Sequence, residues 1–192
     1  MHLLESFALA SGATIDKCFI KETPIRLPKN KYITFHAHSS KGSLRNYSHW
    51  QNVIDNLLKH PKFNYTIVQI GENNDPRYKN IDVSYLGKTT YSSLAYLIRN
   101  SELHFGFDSL PIHLASHYDK KIVGLFVQYA TNTGPFFNQD NETICIQATP
   151  KNLKPVFEEK CSSDRIDTIK STLISNSIIE LLFGDPLVTQ DK

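Results

Sequence analysis

The residues best suited to chemistry gather in a few loops. The run His104-Phe105-Gly106-Phe107-Asp108-Ser109-Leu110-Pro111-Ile112-His113 places an acid, a hydroxyl, a proline and a histidine directly after an alternating apolar stretch. Asp108 or Ser109 can cap a short helix there. Pro111 suits the first turn, where a missing N–H removes a donor that would be unpaired anyway. Such a helix start points free N–H groups and partial positive charge outward, which suits a phosphate. The same residues also suffice as ordinary caps, and the local pattern does not choose between the two roles.

Other loops carry compatible groups. Ser39, Ser40, Lys41, Ser43 and Arg45 follow the apolar segment 32–37. Hydroxyls and two cations suit a diphosphate, and Arg can bind two oxygens at once. A solvated surface loop would have the same composition. Glu72, just past the apolar segment 65–71, stands where an acid can accept hydrogen bonds from ribose hydroxyls; an exposed surface Glu is the plain alternative. Lys88, Thr89 and Thr90 precede a helical stretch, and either Thr serves there as a cap rather than a ligand.

Metal chemistry is less well supported. His36-Ala37-His38 is an H-x-H pair of the kind that opens metal-dependent amidohydrolases, and alternation puts both rings on one face of a strand. Those hydrolases need a full barrel, for which 192 residues is short. His113 and His117 have the i, i+4 spacing of a helical zinc pair, but Leu114 occupies the place of the catalytic Glu. The chain has no P-loop, G-x-S-x-G, G-x-G-x-x-G or Asp-x-Asp motif.

These loops need a scaffold, and the apolar pattern predicts one. Strands are expected at 32–37, 65–71, 82–86, 103–107, 121–127 and 143–148. Helices are expected at 1–12, 48–60 with Ser48 as its cap, 91–101, 110–118 and 163–183. Short apolar strands alternating with helices indicate an α/β fold, a doubly wound, Rossmann-like parallel sheet. Residues 1–30 read as an N-terminal helix and linker, and 31–192 as the domain. Ligands of such sheets bind beyond the carboxyl ends of the strands, so the loops 38–47, 71–80, 87–90, 107–112 and 128–137 are the ones to watch.

The totals fit this class. A 40% hydrophobic fraction supports a core, and a net charge of +2 is too small for a nucleic-acid partner. Cys18, Cys145 and Cys161 form no C-x-x-C pair and point to free thiols in a reducing compartment. No apolar run reaches the ~18 residues of a membrane span. Residues 1–12 lack a basic signal-peptide start, so the expected location is cytoplasmic.

The segment "FGFDSLPIHLASHYDKKIVGLF" resembles the D-[ST]-G-x-x-H-x-A region of the heptosyltransferases, glycosyltransferase family nine. "ITFHAHSS…LRNYSHWQNVIDNL", "YTIVQIGE", "LGKTTYSSLAYLI" and "TGPFF" agree with that family in order and spacing, over roughly residues 1–183. The resemblance implies the C-terminal, donor-binding half of a GT-B enzyme. It implies that residues 31–192 bind a nucleotide-diphosphate-sugar, ADP- or UDP-linked, without a metal or other cofactor. Asp108 would contact the donor sugar. Ser109 and the turn Pro111-Ile112-His113 would hold the diphosphate, with Ser39, Ser40 and Lys41 beside it. Arg45 would neutralise the leaving group, and Glu72 would lie near the nucleoside. Arg45 and Asp108 are thus the implied catalytic residues. The acceptor would be a saccharide or lipid-linked saccharide.

Three departures accompany the resemblance. Leu110 stands where the family usually has Gly, and Arg45 where it usually has Lys. The family's N-terminal half, with the acceptor site and catalytic base, has no counterpart in residues 1–192. A separate chain carrying that half is one expected partner. The other reading is a non-catalytic nucleotide- or glycan-binding or interaction module.

Overall fold

The computed structural model describes residues 1–38, 46–127, 130–137, 142–148 and 164–184. The strands are β1 (Tyr32–His36), β2 (Thr66–Ile70), β3 (Val83–Ser84), β4 (Leu103–Phe107), β5 (Lys121–Phe126) and β6 (Thr143–Gln147). The helices are α1 (Leu3–Ser11), α2 (Trp50–Lys59), α3 (Tyr91–Arg99), α4 (Leu110–His117), α5 (Ala130–Thr133), α6 (Asp164–Asp167) and α7 (Ser171–Phe183). All strand pairings are parallel, in the order β3-β2-β1-β4-β5-β6. This is the doubly wound, Rossmann-like arrangement that the alternation of elements predicts.

Alternation along each strand builds two cores. One face carries Ile33, Phe35, Leu103, Phe105 and Phe107 against Trp50, Val53, Ile54 and Leu57 of α2 and Ile174 and Ile178 of α7. Phe35 is its centre: it stacks on Phe105 at 4.6 Å and meets Trp50 edge-on at 5.1 Å. The other face packs Val68, Ile70, Ile122 and Phe126 on Ala95, Leu97 and Ile98 of α3 and Ile112 and Ala115 of α4. Burial on both faces explains why β1, β4 and β5 read as continuous apolar runs rather than half-polar strands.

Several expected boundaries shift. Ser48 does not cap α2: the helix starts at Trp50, and the Ser48 N–H donates to Asp167 Oδ1 at 2.8 Å. The expected helix 163–183 is two helices. Between them the Ile169 carbonyl accepts the Tyr47 hydroxyl at 2.6 Å, and Lys170 is extended, so the helical ladder restarts at Ser171. Helix α5 lies in a segment read as loop. Helix α1 has a complete capping box and a left-handed Gly12 C-cap, yet buries none of its residues. Its apolar stripe, with Phe7 and Leu9 exposed, is not packed on the described residues of the domain. Among the described residues, no helix is long and apolar enough to cross a membrane.

The Phe35–Phe105–Trp50 cluster should carry much of the stability. Phe105→Ala, at a fully buried site, is expected to cost about 3–5 kcal/mol. Urea unfolding should show it as a lower midpoint with an unchanged slope.

Candidate functional site

Strand order reverses at β1 and β4: the chain moves outward through β2 and β3 on one side and through β5 and β6 on the other. Crossovers leaving on opposite sides open a crevice at the carboxyl ends of these two strands. A cleft of about 990 Å³ lies there, at the upper end of small-molecule sites. Its walls come from the ends of β1, β2 and β4, the turn before α3 and the start of α4.

Backbone requirements shape the β2 side. Gly71 has φ +147°, and a Cβ there would lie 2.2 Å from Asp75 Oδ2. Gly87 has φ +65°, and its Cβ would press on Asn73. Both positions therefore need glycine. The space left at Gly71 admits the Asp75 carboxylate, whose Oδ2 accepts the Glu72 N–H at 2.8 Å. Its Oδ1 lies 3.1 Å from His38 Nδ1. The Asp75 side chain is only 8% exposed, whereas His38 keeps 32% of its own on the cleft.

On the β4 side, Ser109 holds the N-cap position of α4 but makes no capping bond with its side chain. Its Oγ lies instead 2.9 Å from His36 Nδ1. The cap expected from sequence is thus a hydroxyl spent on a histidine across the crevice. Pro111 sits in the first turn as expected, and Asp108, Ser109, Leu110 and Pro111 all line the cleft. Leu110, at the family's usual Gly, is 45% exposed. Ile112 is buried in the α3–α4 core, and its N–H is bonded to the Ser109 carbonyl. His113 Nε2 is 3.9 Å from Asp108 Oδ1.

Glu72 lines the same cleft from the β2 end. Asp108, Ser109, Pro111 and Glu72 are therefore brought together, with His113 beside Asp108 and Ile112 beneath. Ser39, Ser40, Lys41 and Arg45 lie outside the described residues. Thr90 is a cap, its Oγ1 accepting the Ser93 N–H at 3.3 Å while Ser93 Oγ accepts the Thr90 N–H at 2.8 Å. Sequence reading missed Asp75 and the His36–Ser109 pair. The Gly71-Glu72-Asn73-Asn74-Asp75 run was a turn signal for the former; the latter joins residues 73 positions apart.

The histidines differ in charge state. Burial pushes His36 down to about 4, against a smaller upward pull from Asp75 and with a further lowering from His38. Burial likewise pushes His104, on β4 beneath the cleft, to about 3. His104 Nδ1 lies 3.0 Å from Thr34 Oγ1, and its buried Nε2 has no partner among the described residues. A neutral ring with its proton on Nδ1 fits that setting, because it leaves a lone pair rather than an N–H unpaired. Desolvation also lowers His113; Asp108 opposes this and His2 adds to it. Among the described residues lining the cleft none is lysine or arginine, and no group of three or more His, Cys, Asp or Glu is placed to hold a metal.

A parallel sheet reversing at β1 and β4 over an open cleft defines a Rossmann-like unit, the kind that forms each half of a GT-B protein. The chain belongs to glycosyltransferase family 9 (heptosyltransferase), whose family model matches residues 11–166. No curated protein matches it in sequence. Among solved structures it resembles the ADP-heptose LPS heptosyltransferase II of E. coli, with TM-score 0.62 and 15% identity over 80% of this chain and 47% of that one. A family 9 glycosyl transferase from Veillonella parvula gives TM-score 0.65 and 15% identity, over 94% and 50%. TibC, an iron-containing dodecameric heptosyltransferase of enterotoxigenic E. coli solved with ADP-D-β-D-heptose, gives 0.63 and 14%, over 90% and 52%. These similarities establish the shared fold. The chain spans about half the length of these relatives.

The depressed histidines, His36 and His104 foremost, make stability depend on acid. Each is neutral in the folded protein, whereas an unfolded histidine binds a proton below about 6.5. Below that pH the unfolded state holds more protons. Stability is therefore full above pH ~6.5 and falls as pH drops towards 4, by up to about 1.4 kcal/mol per pH unit for each ring. Urea unfolding between pH 7 and 4.5 should show this slope, and His36→Asn should remove about half of it.

Proposed function

We propose that this chain is the donor half of a family 9 glycosyltransferase, and that its cleft binds a nucleotide-diphosphate-sugar. One observation carries the reading: the start of α4, with Asp108 and Ser109, opens into the cleft at the β1–β4 reversal. The diphosphate sits over that helix start, where the partial positive charge of the helix favours an anion. Asp108 faces the donor sugar, and Glu72, at the far wall, faces the nucleoside. Lys41 and Arg45, which follow β1 in the sequence, supply the cations that the described walls lack. Transfer to a hydroxyl of a saccharide or lipid-linked acceptor requires an acceptor half with its own base, from the same polypeptide or from a partner chain. Charge on the departing diphosphate is then met by Arg45 and the helix start rather than by a metal ion.

Thermal unfolding in ADP, UDP, GDP and their sugar conjugates tests the reading. A ligand at ~100 times its dissociation constant adds about 2.7 kcal/mol, a rise of roughly 5–10 °C for a domain of this size. One nucleoside diphosphate is expected to give that shift, and Asp108→Ala or Arg45→Ala to abolish it with little change in the ligand-free Tm. Absence of a shift with every nucleotide would favour a non-catalytic interaction module.

A further inference from the structure

The Asp75–His38 pair is not explained by the fold. Buried carboxylates are costly unless bonded, and this one is held by two devices: the Glu72 N–H on one oxygen and His38 Nδ1 on the other. Gly71 yields the space for it. A carboxylate on Nδ1 fixes the tautomer of an imidazole, turns Nε2 outward and stabilises the ring when it becomes charged. His38 presents its ring to the cleft, across from the Asp108–Ser109 start of α4.

Its surroundings single it out. The titratable groups around it among the described residues include Asp75 and Tyr78 on the loop after β2, His36 two positions back on β1, and Glu72, Tyr91 and Asp108 on the cleft walls. His36 is committed to Ser109 and held neutral by burial. The carboxylates repel an anion. That leaves His38 as the described cleft-lining imidazole that is partly exposed and backed by a carboxylate.

We propose that His38 is a proton-coupled contact of the anionic ligand: a nucleoside diphosphate entering the cleft draws a proton from solvent onto His38, and Asp75 holds the resulting imidazolium against the phosphate. This deepens, and rests on, the donor-site reading above. Its distinctive content is a proton count. The complex holds more protons than the free partners, so affinity rises as pH falls. Fixed cations such as Arg45 contribute affinity without that linkage.

The test is calorimetric titration of the full chain with ADP and UDP at pH 7.5, in buffers of different ionisation enthalpy. Whichever nucleotide binds is then measured against His38→Gln, which keeps an N–H donor but cannot titrate, and Asp75→Asn. Wild type is expected to take up roughly half to one more proton per nucleotide than His38→Gln. Its affinity should fall with rising pH more steeply than that of the variant, by up to about tenfold per pH unit. Asp75→Asn should lose both affinity and uptake. Equal proton counts in wild type and His38→Gln, with binding intact, would overturn the proposal and leave the donor site standing. No binding by wild type would overturn both. Should His38→Gln not fold, the His38 ring proton signals of wild type decide the matter: their titration midpoint should move up on nucleotide binding, and an unmoved midpoint refutes the coupling.

Discussion

The close approach of β1 and β4 at their carboxyl ends governs the rest of the molecule, and Gly106 permits it. A Cβ at that position would lie 2.3 Å from the His36 carbonyl oxygen, so any side chain would force the two strands apart. Below this point the pair is locked by Phe35 stacked on Phe105. Above it, the same spacing brings His36 within hydrogen-bonding reach of Ser109. Because strand order reverses here, the chain leaves β1 towards α2 and β4 towards α4, on opposite faces of the sheet. The cleft is what remains between the two departures, and its depth follows from how tightly the two strand ends are held.

Electrostatics within the cleft divides labour between similar side chains. Two histidines on the same chain segment, positions 36 and 38, receive opposite treatment. One is desolvated, neutral and tied to a hydroxyl; the other is partly exposed and backed by a carboxylate. Among the described residues, the start of α4 brings partial positive charge to the cleft wall. Asp108 and Glu72 both line the cleft and can accept hydrogen bonds from hydroxyl groups.

Much of this was legible in the sequence. The strands were visible because burial on both faces leaves mostly apolar runs such as "YITFH" and "KIVGLF", and the parallel order followed from their alternation with helices. The approximate place of the cleft followed from Asp108-Ser109 at the end of β4. What escaped depends on long-range partners. Ser109 was readable as a cap, yet His36 claims its hydroxyl. The break at Ile169 arises from the Tyr47 hydroxyl, 122 positions away in sequence. Helix α1 has the pattern of a packed amphipathic helix, and its periodicity could not reveal that the described residues leave it uncovered. Asp75 lay in a polar loop whose composition suggested only exposure; its burial depends on the missing side chain at Gly71.

The central claim is that the β1–β4 cleft is a nucleoside-diphosphate site. Amide hydrogen exchange, with and without saturating nucleoside diphosphate, tests it most directly because it locates the ligand without presuming any single residue. Slower exchange confined to residues 36–38, 71–75 and 108–113, with the α7 and β6 amides unchanged, is the predicted result. Saturable binding with protection elsewhere, and none at the start of α4, would contradict it.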